Sequence, residues 1–163
     1  MSGRYLKIAL TFKVLSLALV TFFVSAASAA EPERPRVQAP TDVEAGRYLI
    51  LVGGCNDCHT SGWEASDGKL PTSQWLVGNP IAYQGPWGTN YPANLRLSVQ
   101  AIGEKGWTRM FRIRTEPSMM PWMNYHDVSD KDLRSIYRFI KSLGPAGVRA
   151  PDHVMHGYKP KTP

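Results

Sequence analysis

Two cysteines and a histidine stand together at Cys55-Asn56-Asp57-Cys58-His59. The chain has no other cysteine, so a structural four-cysteine zinc site is excluded by count. A thiol pair two residues apart, followed at once by an imidazole, is the spacing of covalent haem attachment. Each thiol adds to one haem vinyl group as a thioether. The two vinyls lie on neighbouring edges of the ring, one helical turn spans them, and the next residue brings an imidazole under the iron. Covalent attachment prevents haem loss outside the cell. Two other readings use the same residues. One is a redox C-x-x-C disulfide with His59 merely adjacent, which goes with a thioredoxin-like βαβ pattern that this sequence lacks. The other is chance spacing.

The rest of the chain must export and position these residues. Arg4, Lys7 and Lys13 lead an apolar run of 11 residues at 14–24, and small side chains follow at 25–30. This is the three-part pattern of a secretory signal peptide, with cleavage expected after Ala29 or Ala30. The alternative, a retained anchor, meets the objection that about 20 apolar residues are needed to span a bilayer. The expected location is therefore periplasmic, after export. Cleavage would leave one domain's length of chain and remove three of the positive charges behind the net +6. Lys and Arg form no run, which argues against a nucleic-acid surface. A mildly positive surface suits brief docking to an acidic protein.

Residues 31–40 carry three prolines among charges and read as an extended leader without packed structure. Thr41-Asp42-Val43-Glu44 matches a capping box and opens a helix over Asp42–Val52, which Gly53-Gly54 ends. Residues 66–92 read as a long loop rich in Gly, Pro, Asn and Gln. A loop of that length is unusual in a compact domain, unless a large flat cofactor gives it something to pack on. Short helices are predicted over 98–104 and 107–114. The clearest helix covers 129–143, with Ser129 as its cap, Asp132 in its first turn and a stripe of Leu133, Ile136, Tyr137, Ile140 and Leu143. Residues 146–163 read as a Pro-rich surface tail. No strand pattern or internal repeat is evident, so the expected fold class is all-α.

Those pieces resemble the class I cytochromes c, and in particular small bacterial periplasmic mono-haem cytochromes, including the cytochrome subunits of membrane dehydrogenases. The resemblance rests on the first helix, Cys55–His59, Met120-Pro121-Trp122 and the last helix with its Ser129-Asp130-Lys131-Asp132-Leu133 start. It covers residues 41–145. It implies N- and C-terminal helices packed around one haem c with long irregular loops, Cys55 and Cys58 as the covalent attachment points, His59 as one axial ligand, and a loop methionine as the other. The resemblance also implies that a proline carbonyl orients His59. Pro71 stands in that place, with Gly78-Asn79-Pro80 as another candidate.

For the sixth ligand the choice is Met120. Pro121 biases it toward extended backbone, so its side chain can reach inward from a loop, and a thioether trans to imidazole favours ferrous iron. Met119, Met123 and Met110 are rivals, and any methionine can simply fill a core gap. His126 would give bis-histidine ligation and a lower potential. Trp75, Trp87, Trp107 and Trp122 line the haem pocket, pack in the core, or do both. Asn94, Trp87 and Tyr91 are candidates to hydrogen-bond a haem propionate. His153 and His156 form either a metal-binding tail or a solvated segment.

With both axial positions filled by protein, the expected function is one-electron transfer without catalysis. The partners would be redox proteins: a dehydrogenase or quinol-oxidising complex as donor, a terminal oxidase or another cytochrome as acceptor, with the membrane reached only through them. An open sixth position would make the chain a haem sensor or a peroxidase-like enzyme instead.

Overall fold

Local signals set the first helix. Thr41 Oγ1 accepts from Glu44 N at 3.1 Å and donates to the Glu44 carboxylate at 2.9 Å, which satisfies an amide that a helix start would leave orphaned. Helix α1 then runs over Asp42–Val52, the span its sequence predicts. The computed structural model describes residues 34–154. The leader pattern at 1–30 and the distal tail with His156 lie outside them.

Among the described residues four further α-helices follow: α2 (Cys55–His59), α3 (Leu95–Ala101), α4 (Glu104–Ile113) and α5 (Asp130–Ser142). Ser129 caps α5 through Asp132 N at 3.0 Å. Two helices start earlier than expected. Asn94 Oδ1 accepts from Leu97 N and so opens α3 at Leu95 rather than 98. Gly103, in extended backbone, separates α3 from α4, which therefore begins at Glu104 rather than 107. The chain is mostly helical, but it is not free of strands. Within the expected loop, β1 (Tyr83–Gly85) and β2 (Gly88–Asn90) form an antiparallel hairpin around Pro86-Trp87. Among the described residues, no helix is long and apolar enough to cross a membrane.

Helix α1 packs chiefly against α5, and α5 also meets α3 and α4. The crossing of α1 and α5 requires glycine: a Cβ on Gly46 would overlap the Ser135 carbonyl and lie 2.8 Å from Phe139 Cβ. The core joins Ile50 of α1, Val99 of α3, Trp107 and Phe111 of α4, Leu133, Ile136, Phe139 and Ile140 of α5, and Trp75 and Leu76 from the connecting segment. Full burial of each aliphatic member contributes about 1.5–3 kcal/mol. Trp107 meets Phe111 edge-on at 5.0 Å, and Trp75 meets Phe139 at 6.2 Å.

Polar contacts correct the picture of loose ends. Val37 N donates to the buried Asp132 carboxylate at 3.1 Å, so the leader is tied to the start of α5. The tail up to residue 154 is likewise held: Asn94 Nδ2 donates to Ala146 O and Val148 O, and Val154 pairs with Thr89 of β2. Buried Arg96 donates to Ser73 O, Gly144 O and Leu143 O, joining the connecting segment to the end of α5, where helix carbonyls lack partners.

Candidate functional site

The short helix α2 carries all three motif residues. Cys55 and Cys58 are both free thiols. Burial pushes the Cys55 thiol up to about 11, against a hydrogen bond from Tyr125 that lowers it. A nucleophilic redox thiol needs the opposite shift. Tyr125 is raised by its own burial and by the neighbouring Cys55. Tyr83 is raised first by its hydrogen bond with Cys58 and then by burial. A phenol therefore stands at each thiol, Tyr125 from the segment before α5 and Tyr83 from β1. Neither stands out in the sequence, where nothing in their spacing marks them.

His59 is fixed from its Nδ1 side. Nδ1 lies 2.7 Å from Ala93 O. A carbonyl oxygen only accepts, so Nδ1 carries the proton and Nε2 keeps its lone pair. Burial holds the imidazole below its ordinary pKa, with the Ala93 bond opposing. The neutral form is the one that ligates a metal. The expected proline carbonyls at Pro71 or the 78–80 turn do not supply this acceptor. Gly78 serves differently, its amide donating to His59 O at 2.8 Å.

The Ala93 carbonyl is held in turn. Asn79 N donates to Pro92 O, and Leu95 N and Arg96 N donate to Leu76 O. Gly78 sits at φ 87, where a Cβ would come within 3.0 Å of Asn94 N and Pro92 O. Thr60, next after His59, donates to Asn56 Oδ1 at 2.7 Å and accepts from Leu76 N at 2.8 Å. Leu76 is a fully buried residue at φ 62, a left-handed conformation that a leucine rarely adopts. This closed circuit joins α2, residues 76–79 and residues 92–95.

The methionines separate by exposure. Met119 is 50% exposed and Met123 is 74% exposed. Met120 is half-buried and packs against the same core as Cys55, as does Met110 of α4. Met120 O accepts from Trp122 N and Ser118 Oγ, both at 2.9 Å. His126 Nε2 donates to Arg114 O at 3.0 Å, so that nitrogen is already used.

Among the other candidate residues, Trp75 and Trp107 are core members. Trp87 Nε1, Trp122 Nε1 and Asn90 Nδ2 are buried with no hydrogen-bond partner among the described residues. Asn94 spends its amide on the α3 cap and the tail, which removes it as a propionate donor. Tyr91 is half-buried. His153 Nδ1 meets Asn90 Oδ1 at 2.6 Å and thereby secures the tail. Among the described residues, no group of three or more His, Cys, Asp or Glu could hold a metal ion.

No protein-family model matches the chain, and no solved structure matches it either. Among curated proteins it is similar to a nicotinate dehydrogenase subunit of Pseudomonas putida, with 26% identity over 124 residues. The match covers 69% of this chain and 10% of that protein, so the chain spans about a tenth of its relative's length.

Proposed function

We propose that the chain is an exported one-electron carrier of the class I cytochrome c type, holding a single haem c through Cys55 and Cys58, with His59 and Met120 as axial ligands. The observation that carries this reading is the 2.7 Å contact of His59 Nδ1 with Ala93 O. A histidine that ligates a metal through one nitrogen characteristically donates its other N–H to a carbonyl or carboxylate, which sets tautomer and ring orientation.

The other donors fit the same group. Two free thiols precede His59 on one short helix. Iron in haem brings four ring nitrogens, so two protein ligands suffice and no larger cluster is needed. Six buried polar side-chain atoms, Trp87 Nε1, Trp122 Nε1 and Asn90 Nδ2 among them, have no partner among the described residues, and a group bearing carboxylates would offer an acceptor to any such donor it touches. Buried polar groups are ordinarily paired.

When bound, the haem supplies one-electron cycling of its iron between the ferric and ferrous states. The chain's own residues do the rest. Cys55 and Cys58 keep the group attached outside the cell. His59, held neutral by burial, offers Nε2. The soft sulfur of Met120 favours the ferrous state. The apolar core beneath lowers the dielectric around the site and limits reorganisation. Likeness to part of a dehydrogenase subunit favours a dehydrogenase among the redox partners.

The test is intact mass and haemochrome spectroscopy of mature protein exported in a host that attaches haem c. A covalent adduct of one haem is expected, and the double variant Cys55→Ala with Cys58→Ala should lose it. A bare polypeptide from the wild-type gene would sink the reading.

A further inference from the structure

One guanidinium organises the segment that carries Met120. Arg112 lies in the last turn of α4. Its Nη1 donates to Tyr125 O at 2.9 Å and to His126 O at 2.7 Å. Its Nη2 donates to Val128 O and, at 2.6 Å, to Asp130 Oδ1. Two terminal nitrogens have four N–H groups in a rigid planar fork, and all four are spent on residues 125–130. Three of the acceptors are backbone carbonyls, of which Tyr125 O also accepts from Val128 N.

The same helix end grips the preceding turn. The Arg114 guanidinium lies over the Trp122 ring at 4.0 Å from the centroid, while Phe111 packs on Trp122 at 5.7 Å and on Tyr125 at 4.9 Å. The Arg114 carbonyl accepts from His126 Nε2. Met120 is bonded through its own carbonyl to Trp122 N. The path from Arg112 and Arg114 to Met120 is therefore short and made of named contacts.

We infer that Arg112, assisted by Arg114, is a positioning residue for the sixth ligand: it holds the 120–128 segment so that Met120 stays on the iron. This rests on the function proposed above. A cation–π contact and hydrogen bonds to a charged group both resist the opening of the loop they hold. Thermal stability alone does not separate positioning from a plain structural tie, because Arg112 also anchors the start of α5 through Asp130.

The experiment uses holoprotein carrying covalent haem. Arg112→Gln is compared with wild type and with Arg138→Gln, whose partners Glu104 and Asp42 are on other helices at the surface. Three readouts are taken well below each unfolding midpoint: the far-red methionine–iron band of the ferric form, the reduction potential, and the rate of carbon monoxide binding to the ferrous form. Arg112→Gln is expected to lose or weaken the band, lower the potential and speed carbon monoxide binding. Arg138→Gln is expected to lower the unfolding midpoint and leave all three unchanged. If Arg112→Gln does not fold, Arg112→Lys carries the same test, since one ammonium cannot reproduce a four-way fork. Unchanged readouts in an Arg112 variant that retains haem overturn the inference alone. Wild-type protein without haem overturns the proposed function, and the inference falls with it.

Discussion

The Nδ1 of His59 and the carbonyl oxygen of Ala93 are 2.7 Å apart, although 34 residues separate them in the chain. Gly78 lies beside that contact, with a φ of 87 and a 3.0 Å approach of any added Cβ to Asn94 N and Pro92 O that crowd a side chain. Gly78→Ala is expected to cost about 1–2 kcal/mol for the left-handed backbone and to displace residues 92–94, loosening the ring. The checks are a urea unfolding midpoint and, in holoprotein, the reduction potential. A variant matching wild type in both would show that the Ala93–His59 contact does not need glycine at 78.

Exposure separates the methionines, and substitution should follow that order. Met120→Ala is expected to remove the far-red band, lower the potential and admit carbon monoxide, while haem stays covalently bound. Met119→Ala and Met123→Ala, at strongly exposed positions, should leave the spectrum unchanged. The reverse pattern in the same three spectra would assign the ligand elsewhere.

Two glycines in helices should respond oppositely to alanine. At Gly46 a methyl overlaps the backbone of Ser135, and overpacking of this kind costs about 1–3 kcal/mol or more. At Gly106, in the exposed part of α4, the nearest atom to a new Cβ is Ile102 Cβ at 3.6 Å. Gly106→Ala should stabilise by about 0.5–1 kcal/mol, because glycine is a poor helix former. Denaturant midpoints of the two variants test both signs at once.

In protein produced without haem attachment, the Cys55 thiol is pushed by burial from 9.0 up to about 11. Near pH 8 its thiolate fraction is then about 100-fold below that of an ordinary cysteine, and alkylation at Cys55 should slow by about that factor. The sign of the stability effect follows. The unfolded chain releases this proton first, so the folded state loses stability as pH rises from about 9 to about 11. Peptide-resolved alkylation and urea midpoints across that range check both statements. Alkylation of Cys55 at the rate of a free cysteine peptide would contradict the burial of its sulfur.

The sequence by itself determined what is local. The Thr41–Glu44 capping box and Gly53-Gly54 delimit α1, and the Ser129 cap delimits α5, because cap, first turn and stop signal lie within a few residues of each other. The motif Cys55–His59 is visible for the same reason, since its residues lie within one short stretch. Phe139 escaped the stripe read on α5, yet it is a core member, since a wide buried face takes in neighbours of the nominal positions. The 83–90 hairpin escaped because three-residue strands are too short to display alternation, and its outer pairing partner is Val154 in the tail.

Only the tertiary structure decided what depends on meetings between distant segments. The acceptor for His59 is a backbone carbonyl, which every residue carries, so no side-chain type could announce Ala93. Asn94 has the chemistry to bind a ligand and is instead occupied by the α3 cap and the tail. Pro121 sets Met120 apart in the sequence, but only the fold leaves Met119 and Met123 strongly exposed while Met120 packs on the core. Local physics writes itself into neighbouring residue types, whereas burial and hydrogen-bond partnership across tens of residues exist only once the chain has folded.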